Sequence, residues 1–219
     1  MSETGIIVKV REMILSGEIP QGTRVTEAGL AEQLNISRTP VRNVLPALAK
    51  EGLLETVGRR GFAVKTFSLP DSLQALEIRA ALEGLAAKAL ATNGMSKEIE
   101  ETLIGCLERG DKLFEKKYLT PDDEMIYAEA NETFHQTIIY GADSNILKEM
   151  YDRVKVVPFV APKSLAFRQL GHEKAFPILF VAHAQHHAVF DAIKAKDPTR
   201  AEAVFREHAY SQRASMVTI

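Results

Sequence analysis

The chain has 219 residues, a formal net charge of −2, one cysteine and no tryptophan. That length holds one larger domain or two smaller ones, the near-neutral charge excludes a general polyanion binder, and the lone Cys106 excludes an internal disulfide. No signal-peptide pattern is present and no apolar run is long enough to span a membrane, so the sequence predicts a cytoplasmic protein. The average charge hides a split. Residues 1–66 carry nine Lys/Arg against seven Asp/Glu, whereas the remainder carries eighteen against twenty-two. A mildly positive head on an acidic body suits a protein that meets nucleic acid with one domain only.

In chain order, Ile6–Ser16 repeats apolar residues at helical spacing, and Gly17 is its stop. Pro20–Gly22 reads as a turn. Thr26–Leu34 is a short helix capped by Thr26, with Leu30, Ala31 and Leu34 facing inward. Asn35-Ile36 makes a tight corner into the segment Ser37–Gly52. There Ser37 reads as an N-cap whose hydroxyl accepts from a first-turn amide, and Pro40 sits where a missing N–H costs nothing. Arg38 and Arg42, four apart, share one helical face. Val41, Val44, Leu45, Leu48 and Ala49 form the other. A helix buried on one side, with arginines near its start on the other, meets the requirement for major-groove reading of DNA. Pro46 removes one interior helix bond, so the helix either kinks or separates its first turns from its last. Leu53–Val57 and Phe62–Thr66 read as strands around a Gly58-Arg59-Arg60-Gly61 tip. Three helices and a basic hairpin predict a winged helix-turn-helix over residues 1–66.

Residues 67–71 form the expected linker, broken by Pro70. From residue 72 to 219 the pattern is helical almost throughout. Helices are expected over Leu73–Ala91, Lys97–Lys117, Pro121–Tyr140, Asn145–Val157, Phe176–Lys196 and Pro198–Met216, with Ala161–Ala175 as a loop. The expected fold is therefore mostly α, a winged helix-turn-helix followed by an antiparallel all-helical bundle. Histidines gather in this second part. His135 follows Asn131 by one turn on the same face, and His186 and His208 fall on two consecutive helices joined at Asp197-Pro198. Inward imidazoles from several helices are how bundles build metal sites. His183 and His187 form a competing i, i+4 pair that also fits a shared metal, and His172 stands apart in the loop.

Two resemblances add to this reading. Gly17–Val64 closely resembles the DNA-binding domain of GntR-type bacterial transcription regulators, in spacing as well as residue type. The resemblance implies that Ser37, Arg38, Thr39 and Arg42 face phosphates and base edges. It also implies that Gly61 lets the wing approach the minor groove, with Arg59 and Arg60 on phosphates. Asn43 and Ala28 depart from residues common in that family, so the operator sequence is not transferable. The segments NETFH, QHHAVFDAIKAKD and AEAVFREH make the second part similar to the ligand-binding domain of the FadR branch, the FCD type. That resemblance selects Asn131, His135, His186 and His208 as ligands of one divalent metal. Asn131 replaces the commoner aspartate. An amide oxygen brings no charge, and three histidines favour zinc or nickel.

These expectations combine into a homodimeric transcriptional regulator on double-stranded operator DNA, its affinity set by a small carboxylate effector completing the metal sphere. The weak basic excess of the head calls for a dimer, which doubles the phosphate contacts. Arg79 stands where it could clamp the carboxylate bidentately, or else pairs with Glu83 on a solvated face. Rival readings are a metal-responsive repressor without an organic effector and a metal-dependent hydrolase fused to a DNA-binding domain.

Overall fold

Apolar residues at helical spacing, short caps and one tight hairpin organise the chain into nine helices and a three-stranded sheet among the described residues. The computed structural model describes residues 2–15, 17–58, 61–116, 118–157 and 172–217. Two compact units emerge, one holding the chain up to Ser68 and the other beginning at Leu69.

The first unit contains α1 (Glu3–Leu15), β1 (Arg24–Val25), α2 (Glu27–Gln33), α3 (Arg38–Lys50), β2 (Leu54–Val57) and β3 (Gly61–Val64). Its core joins Ile6 and Val10 of α1, Leu30 of α2, and Val41, Val44, Leu45 and Leu48 of α3, with Leu54 and Val64 from the sheet. The Thr26 hydroxyl caps α2 by accepting from the Gly29 amide at 3.1 Å. Asn35 turns the corner with φ of +53°, a left-handed conformation that asparagine tolerates better than most side chains. β2 and β3 pair antiparallel from Leu54↔Val64 to Val57↔Gly61, and β1 adds to the other edge of β3 through Arg24↔Ala63. At two residues, β1 is too short to show a period, and the turn chemistry around it carries no strand signal.

One expected detail differs here. Ser37 occupies the N-cap position of α3 with extended backbone, but its hydroxyl makes no cap hydrogen bond. Pro46 lies within a continuous α3, where its missing N–H deprives the Arg42 carbonyl of its helical donor.

The second unit holds α4 (Leu69–Asn93), α5 (Lys97–Phe114), α6 (Pro121–Gly141), α7 (Asn145–Val154), α8 (His172–Lys194) and α9 (Pro198–Val217). Ser96 and Ser144 cap α5 and α7, and Thr120 with Asp123 forms a capping box at α6. Such reciprocal bonds satisfy first-turn amides that no helix partner reaches. α4 packs against α6, α7, α8 and α9, and α8 also against α5. Ala86, Ala87, Leu90, Leu103, Phe134, Ile138, Val189 and Phe205 fill the space between them. The largest boundary shifts fall at the starts of α4 and α8. α4 begins at Leu69, within the expected linker, because proline fits a first helical turn. α8 begins at His172, so residues 172–175 of the expected loop are helical, while residues 161–171 lie outside the described residues. No described helix is long and apolar enough to cross a membrane.

Candidate DNA-binding and metal sites

Ser37, Arg38, Thr39 and Arg42 all stand exposed at the start of α3, while Val41, Val44, Leu45 and Leu48 anchor the helix from its buried side. The Arg42 side chain is 73% exposed, and its Nε lies 3.4 Å from both carboxylate oxygens of Glu27 on α2. An exposed pair at this distance contributes at most about 1 kcal/mol, so it orients the guanidinium without committing it. The Asn43 amide donates to Glu3 Oε2 at 3.1 Å. Gly61 pairs with Val57, and a Cβ added there would come within 2.7 Å of the Val57 carbonyl oxygen. The hairpin itself therefore demands glycine at this position. Arg59 and Arg60, expected at the tip of the wing, lie outside the described residues.

In the second unit, α6 brings His135, α8 brings His186 and α9 brings His208 to one buried point. His186 Nε2 lies 3.3 Å from His135 Nε2 and 3.2 Å from His208 Nε2. A tetrahedral ion with bonds of about 2.0–2.1 Å separates its ligands by roughly 3.3 Å. Their outer nitrogens are engaged as well. His135 Nδ1 meets Glu83 Oε1 at 2.7 Å, and His208 Nδ1 meets the Gln185 side-chain oxygen at 3.2 Å. An oxygen acceptor at Nδ1 places the proton there and leaves the Nε2 lone pair free. Two lone pairs therefore face His186 Nε2, whose single N–H satisfies only one of them.

Burial holds all three rings below the ordinary imidazole pKa, strongly so at His186 and His208, although Glu83 pulls His135 the other way. Neutral imidazole is the form that binds metal. The residues present thus fit a divalent ion. Asn131 is buried on α6, one turn before His135.

Arg79 and Glu83 do pair, Nε to Oε2 at 3.3 Å, but at 1% and 0% exposure rather than on a solvated face. Burial alone would raise the Glu83 pKa. Arg79, followed by His135, outweighs it and keeps the carboxylate ionised. Tyr151 is buried beside them. Its hydroxyl has no hydrogen-bond partner among the described residues and feels the charges of Glu83 and Arg79. Sequence reasoning missed Glu83, Gln185 and Tyr151 as parts of this cluster. Only the i, i+4 spacing of Arg79 and Glu83 hinted at the first.

His183 and His187 do not join this centre. Their Nε2 atoms both turn to Asp111 of α5.

A winged helix-turn-helix followed by an all-helical bundle defines a class, the two-unit DNA-binding regulator. Residues 3–64 match the family described as bacterial regulatory proteins, gntR family, and residues 74–211 match the FCD domain; the chain belongs to the GntR family of transcriptional regulators, with an FCD domain as its second unit. It is 30% identical over 214 residues to a protein of Paenarthrobacter nicotinovorans described as a probable D-xylose utilization operon transcriptional repressor, covering 95% of this chain and 87% of that one. It is also 26% identical to the HTH-type transcriptional repressor RspR of Escherichia coli, over 91% of this chain and 82% of the relative. Among solved structures, E. coli McbR/YncC shares the fold with a TM-score of 0.76 at 23% identity, covering 100% of this chain and 98% of the other. These families and relatives are regulators and not enzymes, which sets the hydrolase reading aside. A GntR-type domain implies operator DNA, and an FCD domain implies a small-molecule effector and commonly a metal.

Proposed function

We propose that this chain is a homodimeric, cytoplasmic repressor whose operator affinity is set by a small carboxylate bound at a divalent metal, zinc or nickel, in its second unit. Residues 1–66 act as reader and residues 72–219 as sensor and dimer interface. His135, His186 and His208 hold the ion, with Asn131 as a neutral fourth donor. The observation that carries this reading is the convergence of three Nε2 atoms, two of them with their tautomers set by Glu83 and Gln185. When bound, the ion supplies a positive charge and open positions that a carboxylate oxygen can meet.

The chain's own groups do the rest. Glu83 and Gln185 keep the rings oriented. Arg79, paired with Glu83, brings a buried positive charge near His135 and His208. The buried Tyr151 hydroxyl gains a partner if the effector carries a second polar group, and a buried hydroxyl left without one costs about 1–3 kcal/mol. In the reader, Arg42, Arg38, Ser37 and Thr39 meet base edges and phosphates, Gly61 sits in the wing, and Arg59 and Arg60 take phosphates at its tip. An effector that binds the DNA-competent and incompetent dimers unequally shifts operator affinity by that difference.

Fluorescence anisotropy of labelled operator DNA, with zinc or nickel titrated in the presence and absence of a carboxylate panel, tests this. A response to metal plus one carboxylate supports it. A full response to metal alone replaces it with a metal-responsive repressor, and indifference to both removes it.

A further inference from the structure

Two of the histidines outside the buried centre build a site of their own. His183 and His187, one turn apart on α8, each bring Nε2 to 2.9 Å from the same oxygen, Oδ1 of Asp111 on α5. The donor atoms all lie within 4.8 Å of one another. The pocket for His183 is shaped for it. Gly110 precedes Asp111, and a Cβ added there would collide with His183 Cε1. Only glycine lets the ring lie against α5. Phe114 and Tyr127 flank the ring at centroid distances of 5.2 and 5.9 Å.

Both rings turn Nε2 to the same carboxylate oxygen, so a single anion is shared between two imidazole donors. His183 is buried, whereas Asp111 and His187 are 52% and 40% exposed, which leaves the cluster open to ions from solvent.

We infer that Asp111, His183 and His187 form a second divalent-metal site, separate from the buried three-histidine centre and selective for zinc-like ions. Two imidazoles and one carboxylate are a donor set that zinc takes in open, three-ligand sites. One negative charge in the set also favours a divalent cation over the neutral trio. None of its three ligands belongs to the buried centre.

Zinc titration of the metal-stripped full chain, read by competition with a chromophoric chelator and by metal analysis after gel filtration, tests it. Wild type is expected to hold two equivalents per chain. The exposed pair Asp111→Ala and His187→Ala, singly and together, should remove one, weakening that site about a hundredfold or more, beyond what removal of an outer partner does. His186→Ala should remove the other and leave the Asp111 site filled. Cobalt substitution of His186→Ala should give a visible d–d spectrum that Asp111→Ala abolishes. A Gly110→Ala chain that folds should lose the same equivalent. If Asp111→Ala and His187→Ala leave stoichiometry and affinity unchanged, the second site does not exist. If instead His186→Ala changes nothing while Asp111→Ala empties the protein, the second site stands and the buried centre falls.

Discussion

The two units handle ionisable side chains in opposite ways. In the winged unit, Arg38 and Arg42 stand in water, and the Arg42–Glu27 pair is long and exposed. In the helical unit, Arg79, Glu83 and His135 are sealed from solvent, and their contacts of 3.3 and 2.7 Å run through one carboxylate. A surface that awaits a polyanion can leave its charge unbalanced, because the phosphates bring the counter-charge with them. A buried cluster must balance itself before any ligand arrives, since each unpaired charge inside costs several kcal/mol. The exposed arginines of the winged unit are therefore only loosely held, whereas the buried Glu83 contact fixes the orientation of the His135 ring.

Removing one carboxylate from each unit breaks this contrast most directly. Glu83→Ala leaves Arg79 buried without its carboxylate and should destabilise the protein by about 3–5 kcal/mol in chemical denaturation. Glu27→Ala should cost less than about 1 kcal/mol. Equal losses would mean that the buried and exposed pairs do not differ as described. Next in size is Arg42→Ala, expected to lower specific operator affinity by about 1–3 kcal/mol per half-site while zinc content stays unchanged. Retained sequence discrimination would remove Arg42 from base readout. Gln185→Ala should weaken zinc binding about tenfold by releasing His208 Nδ1, with DNA binding of the metal-free chain unaltered. The smallest effect is that of Arg60→Ala. It should weaken binding to all sequences alike and reduce the salt slope by about one for each phosphate the side chain neutralised, measured by operator titration across ionic strength.

The same contrast explains what could be read from the chain alone. The reader is local: cap, corner, arginine helix and wing all fall between Gly17 and Val64, and each carries a short-range signal. The helices of the sensor were equally legible from their spacing and prolines. Its polar cluster was only half legible, because the partners of His135 and His208 come from other positions in the fold. Glu83 lies 52 residues from His135 along the chain and meets it only because α4 packs on α6. Asp111 lies 72 residues from His183, and nothing near either one announces the other. Spacing could pair His183 with His187, but not tell whether they shared a metal with His186. Gly110 decided that by admitting one ring against α5. Ser37 shows the reverse limit, a good cap by residue type whose hydroxyl the helix does not use.

The central claim is that His135, His186 and His208 hold one divalent ion. Anomalous diffraction at the zinc edge, from crystals of the zinc-loaded full chain, tests it most directly. A peak is expected about 2.0–2.1 Å from the Nε2 atoms of all three histidines. A zinc-saturated protein with no anomalous density at that point would contradict the claim.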